Sequence, residues 1–260
     1  MNAERYAPPA YDRIAHLYDA DMAQNMRFDD VAFYARLCAA HGGRVLELGC
    51  GSGRILLDLA SRGIEIVGID RSQNMLTGLA RKAAKRALPL RACMMDVRRL
   101  GFGVRFDVVL CGYSLVTYMT ANDDAKRMLD QVKRVLAPRG IVVVDAFVRR
   151  PMEPLREFTR DYVRPFGEET LIRSKRITPL SDRVNRIERR YEIVSGDGAV
   201  RERIETCEDI RAYAPAELTA LLVECGLRAR ETWWDYTTTT EVAGAQFFTA
   251  VCERDLTKPN

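Results

Sequence analysis

The sequence predicts an α/β protein: a doubly wound, seven-stranded, mostly parallel sheet with an antiparallel β insertion after the fifth strand. Up to residue 150, short runs rich in β-branched residues alternate with segments of helical spacing, as in a parallel sheet that is covered on both faces. From about residue 159 to 213 the pattern changes to period two, which is typical of antiparallel strands. The alternation of helix and strand then returns.

The elements follow in order from these patterns. Apolar residues at helical spacing predict helices at 10–24, 28–40, 54–62, 72–87, 121–136 and 215–225. Continuous apolar runs predict strands at 44–49, 64–70, 88–96, 106–114, 141–147, 227–236 and 246–253. The sequence "APRG" at 137–140 stops the fifth helix, and "SGDG" at 195–198 marks a hairpin turn within the insertion.

This pattern divides the chain into a core and an insertion. Residues 1–150 and 214–260 are expected to form the α/β core, in which 1–40 make an N-terminal helical lid. Residues 151–213 form the insertion, expected to cover the substrate or to provide a surface for a homodimer. Its many arginines alternate with Glu and Asp, as on the solvent face of an antiparallel sheet.

Composition excludes several classes of protein. The net charge of the 260 residues is only +4, from 40 basic and 36 acidic side chains, so we expect no nucleic-acid partner. The charged N-terminus does not resemble a signal peptide, and no apolar run is long enough to span a membrane. The seven cysteines are scattered without C-x-x-C, which predicts buried thiols in a reducing cytoplasm and no metal site.

The stretch "VLELGCGSGR" at 45–54 predicts a ligand-binding turn between a strand and a helix. A phosphate-binding P-loop would end in Gly-Lys-Ser/Thr, whereas this turn ends in Gly-Arg-Ile. A dinucleotide fold needs G-x-G-x-x-G, whereas here the spacing is G-x-G-x-G. Glu47 would repel a pyrophosphate but would suit an ammonium group.

Two aspartates at the ends of the next strands predict the rest of this ligand. Asp70 ends the second strand and can accept both ribose hydroxyls of a nucleoside. Asp96 ends the third strand and is placed to accept from an adenine amine. Both lie at the carboxyl edge of the sheet, where folds of this class bind ligands.

These motifs in this order resemble the class I S-adenosylmethionine-dependent methyltransferases. "ELGCGSG" resembles the first motif of that family and "GIDRSQNML" its second-strand motif, and the blocks from "MMDVRRL" to "APRGIVVVDAF" follow. The resemblance covers roughly residues 40–148. It implies a Rossmann-like methyltransferase fold, S-adenosylmethionine as cofactor and S-adenosylhomocysteine as product.

The resemblance also implies which residues bind the cofactor. The first motif would contribute Glu47, Gly49, Cys50, Gly51, Ser52 and Gly53. Asp70 would hold the ribose with Arg71 and Met75 beside the adenosine, Asp96 and the Val97 amide would bind adenine, and Cys111 and Tyr113 would line the methionine side. By analogy with the lead-in helix of small-molecule members, Tyr11 and Tyr18 would close over the cofactor and Arg27 would pair with its carboxylate.

The catalytic and acceptor residues are less determined. Methyl transfer from a sulfonium depends mainly on alignment, and an aromatic face such as that of Tyr18 can bind the cation. A general base is needed for an ammonium or phenol acceptor, and His16 is the histidine expected near the site. Residues expected to contact the acceptor are Tyr113, Thr117, Tyr118 and Trp234, one of the adjacent pair Trp233 and Trp234.

The leading hypothesis is methyl transfer to a small molecule, on an N, O or C nucleophile, in a closed pocket, with natural-product metabolism as one setting for such a reaction. The segment "CGYSLVTY" differs from the N/D-P-P-Y of amino-nucleobase methyltransferases. Some relatives with a similar insertion methylate amines and carry a histidine near the position of Tyr118. The alternatives are a methyltransferase acting on tRNA or protein, and a protein that binds the cofactor without transferring methyl.

Overall fold

The computed structural model describes residues 10–23, 27–150 and 152–255. Its helices are α1 (Ala10–Arg13), α2 (Tyr18–Met22), α3 (Asp30–His41), α4 (Arg54–Ser61), α5 (Gln73–Lys85), α6 (Asn122–Val135) and α7 (Pro215–Glu224). Its strands are β1 (Val45–Leu48), β2 (Ile66–Asp70), β3 (Ala92–Met94), β4 (Phe106–Cys111), β5 (Leu136–Phe147), β6 (Leu155–Phe166), β7 (Glu169–Pro179), β8 (Val184–Val194), β9 (Val200–Arg211), β10 (Leu227–Trp234) and β11 (Phe247–Arg254).

The larger sheet has seven strands in the order β10-β11-β5-β4-β1-β2-β3. The five strands from β5 to β3 are parallel, whereas β11 pairs antiparallel with both β5 and β10. The residues of β1 are all buried, because helices cover both faces of the sheet. The predicted seven-stranded, mostly parallel sheet is confirmed.

The smaller sheet is the predicted antiparallel insertion. Its four strands form a meander in the order β6-β7-β8-β9. The outer face carries cross-strand ion pairs, such as Arg190–Glu205 at 2.7 Å and Arg203–Glu192 at 2.7 Å. The interleaved charges of the sequence therefore pair with one another.

The inner face of the smaller sheet packs against the N-terminal segment, residues 10–23. Ile14 and Leu17 of this segment share one apolar cluster with Leu171, Tyr191 and other residues of the sheet. The segment thus lies between the smaller sheet and the core, where it can cover the carboxyl edge of the larger sheet.

Three predicted elements differ in extent. The helix expected at 10–24 is two short helices, because residues 14–17 form a turn that directs Ile14 and Leu17 into the smaller sheet. The third strand is only Ala92–Met94, and the fifth begins earlier, at Leu136. Of the seven cysteines expected to be buried, Cys93 and Cys207 are exposed. Cys207 lies on the face of β9 opposite Ile204, because an odd separation in a strand changes the face.

Candidate methyl-transfer site

A cavity of about 350 Å³ lies at the carboxyl edge of the larger sheet. The loop after β1, the ends of β2 and β4, the N-terminal segment and β9 form its walls. This volume lies within the range of small-molecule sites.

The glycine loop after β1 shapes one wall. Gly49, Gly51 and Gly53 all have left-handed backbone with φ of 68°, 52° and 88°, which glycine adopts at low cost. A Cβ at Gly53 would lie 2.2 Å from Leu79 Cδ1, so this glycine also permits close packing of α4 against α5. The loop therefore brings its backbone to the cavity and then turns directly into α4.

Glu47 places a buried carboxylate at the cavity. Its side chain lines the cavity, the residue is only 4% exposed, and Oε2 has no hydrogen-bond partner among the described residues. Burial raises the pKa of Glu47 to about 8, although the positive charge of Arg54 acts in the opposite direction. A buried acceptor without a partner is costly, so a cationic ligand group is a fitting partner for it.

Asp70, at the end of β2, fixes the loop and also faces the cavity. Its Oδ2 accepts from the Gly51 amide at 2.8 Å and its Oδ1 from the Ser72 amide at 2.8 Å. Each carboxylate oxygen has a second lone pair, which leaves acceptors for a ligand. Burial raises the pKa of Asp70, and these amide hydrogen bonds act in the opposite direction.

Two aspartates of the N-terminal segment bind it to the glycine loop and to the start of α5. Asp19 accepts from Ser52 Oγ at 2.6 Å and pairs with Lys82 at 2.8 Å. Asp12 accepts from Ser72 Oγ at 2.7 Å and from the Asn74 amide at 2.9 Å. These contacts hold the segment across the mouth of the cavity, which Tyr11 and Tyr18 line.

Asp145 of β5 holds the turn that follows β4. The fully buried carboxylate accepts hydrogen bonds from the hydroxyls of Tyr34 and Tyr236 and from the amides of Tyr113 and Ser114. Tyr113 and Ser114 have φ of 52° and 58°, a strained conformation for residues other than glycine. Burial raises the pKa of Asp145 to about 6. Asp145 thereby positions Tyr113 beside the cavity.

We expect Asp145→Ala to lower the free energy of unfolding by about 3 kcal/mol or more, because four donors, three of them on buried residues, lose their acceptor. Urea unfolding measures the change. Asp107 offers a matched control, since it is partly exposed and accepts from the Arg44 amide at 2.8 Å, so Asp107→Ala should cost about 1 kcal/mol or less. Equal losses in the two variants would contradict the assignment.

The smaller sheet forms another part of the cavity lining. Cys207, Glu208 and Asp209 of its edge strand β9 line the cavity. Glu208 pairs with Arg189 at 2.6 Å and its side chain is 8% exposed. Tyr118, whose hydroxyl is hydrogen-bonded to that of Tyr11, lines the same region.

The cavity brings together most of the residues predicted from the sequence. Those that line it are Tyr11, Tyr18, Glu47, Gly49, Cys50, Gly51, Ser52, Asp70, Arg71, Met75, Val97, Tyr113 and Tyr118. Gly53 does not line it but sits behind the loop, at the start of α4.

Three polar residues expected at the site do not line the cavity. His16 does not line the cavity: it is half-exposed and bonded to Glu202 at 3.1 Å. Arg27 is exposed and also lies outside the cavity lining. The carboxylate of Asp96 accepts hydrogen bonds from Arg98 at 2.7 and 3.0 Å, whereas its neighbours Met95 and Val97 line the cavity.

Three further residues are buried in the core and not at the cavity. Cys111 and Thr117 are fully buried, and the Thr117 hydroxyl donates to the Ser114 carbonyl at 2.6 Å. Trp234 is the inward-pointing tryptophan, with its ring 5.3 Å from that of Phe248. Packing within the core therefore accounts for all three.

Sequence reasoning missed other lining residues. Arg54 lines the cavity, pairs with Asp30 through both guanidinium nitrogens at 2.6 and 2.7 Å, and lies 5.2 Å from the Tyr113 ring centre. Its position directly after the glycine loop was a usable signal. No local signal identifies Glu208, because only the docking of the insertion brings it to the cavity.

Comparison with known proteins agrees with this site. A family model described as a methyltransferase domain matches residues 45–140. A Bacillus subtilis protein, YqeM, named as a methyltransferase, is 26% identical over 92% of this chain and 96% of its own. A demethylmenaquinone methyltransferase of Beutenbergia cavernae is 30% identical to this chain, over 74% of this chain and 68% of its own. A dTDP-4-amino-2,3,4,6-tetradeoxy-D-glucose N,N-dimethyltransferase of Saccharopolyspora spinosa is 28% identical over 71% of each chain.

Solved structures share the fold over most of the chain. An S-adenosylmethionine-dependent methyltransferase from Clostridium acetobutylicum has a TM-score of 0.78 at 18% identity, covering 94% of this chain and 98% of its own. CalS10 from Micromonospora echinaspora, an amino pentose methyltransferase solved with S-adenosylmethionine bound, has a TM-score of 0.69 at 21% identity, covering 90% and 96%.

The fold and the comparisons define an enzyme that transfers methyl groups. The chain belongs to the class I S-adenosylmethionine-dependent methyltransferase family. Residues 10–23, 27–150 and 152–255 contain no helix long and apolar enough to cross a membrane. Over the same ranges, no group of three or more His, Cys, Asp or Glu residues is placed to hold a metal ion.

Proposed function

We propose that this enzyme transfers the methyl group of S-adenosylmethionine to a small-molecule acceptor, leaving S-adenosylhomocysteine. The observation that carries the proposal is that the glycine loop and the smaller sheet line one and the same cavity of about 350 Å³. A space of this size suits a cofactor and a small acceptor better than a folded macromolecule. The names of the Beutenbergia and Saccharopolyspora relatives also specify small acceptors.

The residues present fit the cofactor. The unpartnered Glu47 Oε2 would accept from its ammonium group, either directly or through water, and the free lone pairs of Asp70 from its ribose hydroxyls. The Val97 region and Met75 would enclose the adenine, and Tyr18 and Tyr113 would lie beside the methionine portion. When bound, the cofactor supplies a methyl group on a positively charged sulfur.

The chain contributes alignment to this reaction. Burial raises the pKa values of Tyr11, Tyr18, Tyr113 and Tyr118, so these phenols stay protonated and act as hydrogen-bond donors and ring faces. Holding two reactants in line can contribute about 7–11 kcal/mol to the lowering of the barrier. The N-terminal segment and β9, which both line the cavity, would limit access of water to the reacting atoms.

The paired charges of the smaller sheet argue against a nucleic-acid partner. Its outer arginines bond to acids on neighbouring strands, as Arg176 does with Glu188 at 2.6 Å and Arg186 with Asp209 at 2.8 Å. Phosphate binding would require such cations to be available. A homodimer through this sheet and a cytoplasmic location stay predictions.

A labelled-methyl screen tests the proposal. The enzyme is incubated with methyl-labelled S-adenosylmethionine and a cell extract that has been separated into metabolite, RNA and protein fractions. We expect label in the metabolite fraction only, and much less of it with Asp70→Asn when the cofactor concentration is near the wild-type Kd. Label in RNA or protein would favour the macromolecular alternative, whereas cofactor binding without any transfer would favour a binding protein.

A further inference from the structure

The part of the cavity that the smaller sheet lines contains one carboxylate with an oxygen that accepts no hydrogen bond from a described residue. Glu208 lies opposite Ile187 in the β8–β9 register, on the inner face of the smaller sheet. Arg189 Nη1 donates to Glu208 Oε2 at 2.6 Å, and no described residue donates to Oε1. Since the side chain is 8% exposed and lines the cavity, Oε1 is available chiefly to a ligand.

The other acid of this wall is not available in the same way. Both oxygens of Asp209 accept from Arg186, at 2.8 and 3.0 Å. The other polar groups near Glu208 include the hydroxyls of Tyr11 and Tyr118, which are hydrogen-bonded to each other, and the guanidinium of Arg71. This part of the cavity therefore offers an acid that can accept a hydrogen bond and two phenols, with Arg189 and Arg71 as the nearby cations that favour the ionised form of the acid.

We propose that the acceptor is a basic amine and that Glu208 binds its nitrogen, with the hydroxyls of Tyr11 and Tyr118 beside it. This inference rests on the proposed small-molecule site. A hydrogen bond between a cation and a carboxylate is about twice as strong as one between neutral groups. A carboxylate acceptor molecule would instead be repelled by Glu208.

The charge that develops during methyl transfer also favours an amine as the acceptor molecule. As the N–C bond forms and the C–S bond breaks, sulfur takes the bonding electron pair and positive charge develops on nitrogen. A carboxylate at the nitrogen stabilises that charge in the transition state. An incoming ammonium releases one proton to solvent before transfer, which frees the lone pair of the nitrogen for attack, and Glu208 stays ionised beside the methylated ammonium that forms.

Three probes of similar shape test this inference: cyclohexylamine, cyclohexanol and cyclohexanecarboxylate. Each is titrated by ligand-detected NMR near neutral pH against the enzyme saturated with S-adenosylhomocysteine. We expect cyclohexylamine to bind about ten-fold tighter than cyclohexanol, and the carboxylate to bind weakest. Glu208→Gln, whose amide oxygen can still accept from Arg189, should remove the preference for the amine.

Glu205→Gln is the matched control. Glu205 lies on the same strand and also pairs with an arginine, Arg190, but on the outer face and with a side chain 51% exposed, so this variant should keep the preference. Equal binding of the amine and the alcohol by the wild type would overturn the amine class while leaving the small-molecule site in place. Failure of all three probes to bind would overturn that site as well.

Discussion

Asp70→Asn is expected to weaken binding of S-adenosylmethionine by about 30- to 1,000-fold, as measured by calorimetry. The proposed ribose contacts are two hydrogen bonds to a charged acceptor, worth together about 2–4 kcal/mol. The amide of asparagine provides one acceptor oxygen where the carboxylate provides two, and its NH₂ group would face either the Gly51 or the Ser72 amide.

Asp58→Asn is a suitable control for this measurement. Asp58 lies on α4 near the same loop, but its carboxylate pairs with Arg62 on the surface at 2.6 Å. We expect its affinity to stay within about two-fold of the wild type, because exposed ion pairs contribute little. An unchanged affinity in Asp70→Asn would show that the ribose is held elsewhere.

Cofactor binding is expected to release a proton from Glu47. Burial raises the pKa of this carboxyl to about 8 without ligand, so much of it is protonated near neutral pH. A cation bound beside it favours the ionised form and lowers that pKa. Affinity should therefore rise with pH up to about 8, and calorimetry in buffers of different ionisation enthalpy should count the released proton.

The raised pKa of Glu47 also makes the free energy of unfolding depend on pH. Between the ordinary pKa of a glutamate, 4.5, and about 8, the folded protein holds a proton that the unfolded chain has lost. The free energy of unfolding of the unliganded protein should therefore decrease as pH rises through this window. Glu47→Gln should remove both this decrease and the proton release. Proton release that persists in Glu47→Gln would assign it to another group.

The sequence predicted the larger sheet well because its signals are local. Each parallel strand is a short apolar run, and the positive φ values of the loop need glycines that are visible at 49, 51 and 53. Asp70 could be placed because it follows a strand that must end at the ligand-binding edge.

The residues that sequence reasoning misplaced or missed depend on side-chain contacts, one of them local and the others between distant parts of the chain. Asp96 has the expected position after a strand, but its carboxylate is bound by Arg98, two residues later. His16 was expected on one face of a continuous helix, whereas the turn at 14–17 directs it towards Glu202. Glu208 resembled the other acids of a solvent face, and only the packing of β9 shows that it is inside.

The apolar core of the smaller sheet includes residues from the other end of the chain. Its inner face is completed by Ile14 and Leu17, and Arg13 hydrogen-bonds to the Glu205 carbonyl across a separation of 192 residues. During synthesis the N-terminal segment must therefore wait for most of the chain before it finds this partner. Contacts of such sequence separation form slowly, so we expect the cofactor cavity to acquire its cover in one of the last steps of folding.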